Sequence, residues 1–180
     1  GDGQGRARFC LEVYRAVRER VGPGFPVLIK LNVNDFLEGS TTEVDSSYLA
    51  AALAKEGLDA VEVSGGTPGS GRLGAARPGI DGPEAEAYFL EQARAIRRAA
   101  PELALILVGG IRSLEVIESL LSAGDADWIA LCRPLIREPD LPQRWQTGAL
   151  RRADCISCLG CFKPARTGEG VRCTELPPVA

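Results

Sequence analysis

The chain has 180 residues, 45% of them hydrophobic, enough for one ordinary domain with a sizeable core. Its 21 basic and 24 acidic residues give a net charge of −3, with no general attraction to nucleic acid or an anionic membrane, so neither is expected as a partner. Histidine is absent, which excludes His triads and His metal ligands from these residues, and no apolar run approaches the roughly 20 residues that cross a bilayer. Residues 1–20 are charged and unlike a signal peptide, and a soluble, cytoplasmic protein is expected.

In chain order, Phe9, Val13, Ala16-Val17 and Val21 recur at helical spacing until Gly22-Pro23-Gly24 ends the pattern. Val27–Asn32 reads as a strand too apolar to be half exposed, with Lys30 set among residues that ought to be buried. A buried lysine needs an anionic or hydrogen-bonding partner, unless it snorkels to solvent. A polar loop over 33–45 precedes a helix that starts at Ser46 or Ser47 and ends at Gly57. Ala60–Ser64 is the second strand, followed by Gly65-Gly66. The stretch from Thr67 to Gly82, rich in Gly, Pro and Arg, is too long for a simple connector and reads as a lid, a substrate loop or a disordered insertion. Asp81 and Pro83 introduce a helix that runs to Ala100, where Pro101 stops it.

The next stretch carries phosphate-type chemistry. A buried run, Leu105–Val108, ends on Gly109-Gly110, where the missing side chains let backbone N–H groups approach a ligand. Ser113 can cap a helix whose apolar stripe, Val116-Ile117 and Leu120-Leu121, stops at Gly124. A second buried run, Trp128–Leu131, ends on Cys132-Arg133 and aims a guanidinium from the same end of the sheet. Each feature alone is compatible with an ordinary turn and a surface arginine; on consecutive βα units they point to a phosphate site. Trp145 is expected to pack rather than to bind.

Strand and helix alternate through four such units, which means a parallel α/β sheet. A (β/α)8 barrel and an open doubly wound sheet both show this pattern, and four strands do not close a barrel, which usually needs about 250 residues. Two edge strands and one uncovered face would then invite self-association into a homo-oligomer.

Cys155, Cys158, Cys161 and Cys173 follow C-x2-C-x2-C-x11-C. Four thiolates so close suit a [4Fe-4S] cluster or tetrahedral zinc, with unligated cysteines as the remaining possibility. Cys10 and Cys132 lie apart from this set and read as small core residues.

These motifs resemble the C-terminal half of the old yellow enzyme family, the NADH:flavin oxidoreductases that include 2,4-dienoyl-CoA reductase. The pieces run in family order: Arg6–Phe9, VLIKLNVNDF, AVEVSGG, LVGGIRS, IALCRPLIREPDL and CISCLGC. The resemblance implies an FMN-dependent TIM barrel of which this chain is a fragment. Residues 1–150 would supply about four C-terminal βα units, and residues 151–180 a Cys-rich, metal-binding tail. It places Lys30 at the flavin ring, Gly109 and Gly110 at the phosphate turn, and Arg133 on the phosphate, with Cys132 where many members have glycine. It implies NAD(P)H as hydride donor, an activated alkene as acceptor, and a [4Fe-4S] centre that relays electrons to FMN. The family's substrate-gripping histidines and tyrosine proton donor match nothing here, so no catalytic residue is assigned and these residues alone are expected to be inactive. Two other readings stay open: a half-barrel that binds a phosphate-bearing ligand without redox chemistry, and a metal-stabilised structural domain.

Overall fold

The computed structural model describes residues 3–177, with side chains from residue 5 onward. Helix α1 (Gly3–Val21) opens the chain, and four strand–helix units follow. They are β1 (Leu28–Asn32), α2 (Glu43–Lys55), β2 (Ala60–Ser64), α3 (Leu90–Ala99), β3 (Ala104–Leu107), α4 (Leu114–Ser122) and β4 (Trp128–Ile129), leading into the short helices α5 (Arg133–Arg137) and α6 (Leu141–Gln146). All strand pairs are parallel and the sheet order is β1-β2-β3-β4. A doubly wound sheet reverses its order at a switch point, whereas a barrel winds onward, so this order is that of a barrel segment.

The two faces of the sheet differ. Val61, Val63, Leu105 and Leu107 are fully buried under the helices, in one core with Tyr14, Leu53, Ile96 and Leu120. The opposite face carries the cross-strand row Lys30, Glu62, Ile106 and Trp128, in register on adjacent strands. Here the expectation of strands buried on both sides fails. The Lys30 side chain is 53% exposed and ion-paired with Glu62, and Trp128 is 66% exposed. These residues occupy the side that a closed barrel would turn inward, and no described element covers it. β4 is also shorter than expected, ending at Ile129.

Helix α1 differs in the same way. It buries Ala7 and Tyr14, while Phe9, Val13, Val17 and Val21 form an exposed stripe, Phe9 at 78%. Helix α2 starts three residues before Ser46, because Asp45 accepts hydrogen bonds from the Thr42 N–H (3.2 Å) and hydroxyl (3.0 Å) and closes a box at the helix start. The helix expected from Pro83 to Ala100 is broken. A single 3₁₀ turn, Pro83–Ala85, gives way at Ala87, whose φ is 52°, and α3 begins only at Leu90. That break turns Glu86 inward.

Candidate functional site

The C-terminal ends of the strands surround a cavity of about 360 Å³, lined among others by Lys30, Glu62, Tyr88, Gly110, Cys132 and Arg133. Four of the five residues expected around a cofactor therefore meet there, and Gly109 adjoins them. The glycine pair also has a packing reason. Gly109 and Gly110 have φ of 134° and 76°, and a Cβ on Gly110 would sit 2.8 Å from the Tyr88 ring. The tight turn and the open backbone are one feature.

The long loop after β2 forms part of the wall through Ala75 and Ala76. Tyr88 donates its hydroxyl to the Ala75 carbonyl at 3.0 Å. Arg77 anchors the loop by lying over the rings of Tyr88, Phe89 and Phe36, at 4.5, 5.1 and 5.2 Å from their centroids. Among the described residues its Nε and Nη2 are buried without a hydrogen-bond partner, and burial pushes its guanidinium below the usual range.

Two arginines define the electrostatics. Arg133 is buried; it donates to the Arg77 carbonyl (2.9 Å) and, at 3.5 Å, to the Tyr88 hydroxyl. Arg112 lies fully buried in the wall and donates to the carbonyls of Gly110 (2.6 Å) and Cys155 (2.7 Å), the Cys155 sulfur (3.4 Å) and the Ser157 hydroxyl. Burial pushes Arg112 down and Cys155 opposes that, while Arg133 and Arg152 push it further down. Arg152 has a carboxylate partner in Glu86. Among the described residues the guanidinium groups of Arg112 and Arg133 have none. Two neighbouring buried cations without a counter-ion favour an anion between or beside them.

A second, smaller cavity of about 20 Å³ lies across this wall. Cys155, Cys158, Cys161 and Cys173 all line it, as do Arg133 and Arg137. All four are free thiols. Three of the sulfurs accept N–H donors: Cys155 from Arg112, Cys158 from the Gly160 backbone (3.4 Å) and Cys173 from Arg137 (3.5 Å). Burial pushes the Cys161 thiol up, and Arg133 opposes that. Ser157 and Leu159, on either side of Cys158, hold positive φ of 58° and 61°, a conformation that costs L residues of order 1 kcal/mol or more each. The sulfurs do not close into a ligand set: among the described residues, no group of three or more His, Cys, Asp or Glu is spaced to hold a metal ion.

A family model described as NADH:flavin oxidoreductase / NADH oxidase matches residues 1–151. The chain belongs to the NADH:flavin oxidoreductase / NADH oxidase family. A "Metal reductase" of Desulforamulus reducens is 32% identical over 175 residues, covering 96% of this chain and 25% of that protein. The "NADH-dependent flavin oxidoreductase iliE" of Neonectria sp. is 38% identical over 148 residues, 77% of this chain and 19% of that protein. A solved structure of a 2-naphthoyl-CoA reductase complex matches with a TM-score of 0.81 at 24% identity, covering 99% of this chain and 26% of that one, and shows a shared fold. The chain thus spans about a quarter or less of the length of these proteins.

The residues of this chain fit a phosphate-bearing cofactor, since the larger cavity joins an open glycine turn to two guanidinium groups without carboxylate partners among the described residues. The four thiols have metal-ligand chemistry and share one cavity, but among the described residues they are not spaced to hold a metal ion. Cys132 is exposed on the larger cavity rather than in a core, and Cys10 is half-buried against the main one. Trp145 is buried with Leu141 and Ala153, as its packing role requires. Arg112 and Glu86 went unnoticed in the sequence. Glu86 is fully buried and accepts from the backbone N–H groups of Arg112 (2.7 Å) and Ser113 (3.0 Å), the Ser113 hydroxyl (2.7 Å) and Arg152 (3.0 Å). Ser113, expected to cap α4 itself, binds Glu86 instead. No described helix is long and apolar enough to cross a membrane.

Proposed function

We propose that these residues are the phosphate-end half of the flavin site in an FMN-dependent NAD(P)H oxidoreductase of ene-reductase type, as a fragment completed by further strands. The observation that carries this reading is the pair of buried arginines without carboxylates beside the Gly109-Gly110 turn. When bound, FMN would accept a hydride from NAD(P)H and deliver it to an activated alkene. Arg133 and the N–H groups of the glycine turn would hold the phosphate. Lys30 would steady negative charge at the ring, with Glu62 fixing its ammonium at the cavity wall. Tyr88 would support the turn from beneath, and the loop carrying Arg77 would keep water from the cavity. Proton delivery to the substrate and grip on its carbonyl would fall to residues beyond these, and these residues alone would be inactive.

The cysteine cavity would hold a [4Fe-4S] centre, with structural zinc as the alternative; the N–H donors on three sulfurs support thiolates there. A cytoplasmic location agrees with the reduced thiols this centre requires. The open sheet face and edges would drive homo-oligomerisation wherever no further strands cover them.

The test is spectroscopic. The full-length protein carrying this chain should show the yellow flavin absorbance on adding FMN, and NADH or NADPH should bleach it without oxygen. A protein that stays colourless after FMN addition and dialysis overturns the reading.

A further inference from the structure

We infer that Arg77 is a positioning residue: it latches the loop of residues 67–82 over the larger cavity and thereby aims Arg133 at a phosphate, so that phosphate binding and loop closure favour each other. The inference rests on the phosphate-site reading above and adds to it the residue that orients the arginine.

The loop is pinned at both ends. Near its start the Ser70 hydroxyl donates to the Asp35 carbonyl at 2.5 Å, and near its end Arg152 donates to the carbonyls of Ile80 and Asp81, each at 2.8 Å. Most residues between these pins are exposed, whereas Arg77 is half-buried. Its side chain reaches into a seat of three rings: Phe36 after β1, and Tyr88 and Phe89 before α3. Among the described residues no hydrogen-bond acceptor meets its Nε or Nη2, so the seat holds the guanidinium by its charge over the ring faces. The rings are themselves wedged against backbone. A Cβ on Gly65 would lie 2.9 Å from Phe89, and one on Gly110 would lie 2.8 Å from Tyr88, so the seat is rigid.

The direction of Arg133 follows from this latch, since no carboxylate among the described residues sets it. Arg133 Nη1 donates to the carbonyl of Arg77 itself (2.9 Å), and Nη2 to the Tyr88 hydroxyl (3.5 Å). The same Tyr88 carries the Arg77 guanidinium on its ring and donates its hydroxyl to the Ala75 carbonyl. Arg77 thus grips the seat with its side chain and Arg133 with its backbone, which Pro78 restricts toward extended conformations. A guanidinium has five N–H donors, so these contacts leave others for an anion. With the loop released, Arg133 would be a long side chain free to change rotamer, and an anion would have to order it on binding. That ordering cost sets the coupling at about two- to tenfold. By linkage, a phosphate held by Arg133 favours the closed loop by the same factor.

The experiment measures FMN affinity by quenching of flavin fluorescence in the full-length protein, with riboflavin as the phosphate-free control. Arg77→Ala should weaken FMN binding about two- to tenfold and leave riboflavin binding unchanged. Arg77→Lys, which keeps a cation over the rings, should restore most of the affinity. In an Arg133→Ala background the Arg77→Ala change should have almost no further effect, because the two residues act as one unit. A second measurement carries the test if the double variant does not fold. In flavin-free protein, inorganic phosphate compared with chloride at equal ionic strength should slow amide hydrogen exchange over residues 71–77 in wild type, but not in Arg77→Ala or Arg133→Ala. An equal loss for riboflavin, additive losses in the double variant, or wild-type exchange indifferent to phosphate each overturns the inference while leaving the flavin reading in place. Failure of wild-type protein to bind FMN sinks that reading and the inference together.

Discussion

The two cavities share a wall but are built differently. The larger one stands on the ends of β1 to β4, on a sheet whose other face packs into a fully buried core, and already has room of about 360 Å³. The smaller one has about 20 Å³ and lies in a segment whose described structure is 3₁₀ turns and irregular chain, with four thiols that face one space without closing. Regular elements fix a site before its ligand arrives, whereas an irregular thiol loop takes its geometry from the ligand. The first cavity should then resist changes that abolish the second.

The largest effect that would sharpen this contrast is at Cys161, the buried thiol. Metal supplies on the order of 10 kcal/mol to small thiolate sites. Cys161→Ser should reduce bound metal to background and remove the metal-dependent rise in Tm, while FMN binding persists. Normal metal content in this variant would contradict a four-thiol centre. Next comes the sheet that carries the larger cavity: Leu105→Ala, at a fully buried position on its helix-covered face, should cost about 2–5 kcal/mol in urea unfolding. A loss under about 1 kcal/mol would mean that β3 does not anchor the fold.

The smallest effect concerns neither cavity. Asp59 is held below the usual carboxylate range by the Val27 N–H and Arg18, and Asp125 by Arg94. Both are lowered in the folded state, so their stabilisation is present above about pH 4, the unfolded value, and is lost as pH falls through the lower folded values. Acid titration followed by circular dichroism should show stability declining below about pH 4, and Asp125→Asn should flatten that decline slightly. An unchanged acid profile in this variant would remove Asp125 from the account.

Much of this was readable in the sequence, for identifiable reasons. The four βα units announce themselves because buried strands are apolar runs, and Gly109-Gly110 because the turn has no room for a Cβ beside Tyr88. The exposure of Lys30 and Trp128 was not readable: apolar composition on both faces records burial inside a closed sheet, and here one face is open. Glu86 was hidden inside what reads as a continuous helix, since Ala87 breaks it with a positive φ that neither glycine nor proline marks. Arg112 stood in plain view after the glycine turn, yet a charge at a helix start ordinarily faces solvent. What makes it central is the Cys155 carbonyl, 43 residues away, and no local pattern predicts that contact.

The most direct test of the central claim, an anchoring site for the phosphate of FMN, compares Arg133→Ala with wild type in the full-length protein for both FMN and riboflavin. Loss of charge-assisted hydrogen bonds worth about 1.5–3 kcal/mol should weaken FMN binding by about tenfold to a hundredfold. Riboflavin, which lacks the phosphate, should bind both proteins alike. Equal FMN affinity in the two proteins, or an equal loss for riboflavin, would contradict the account.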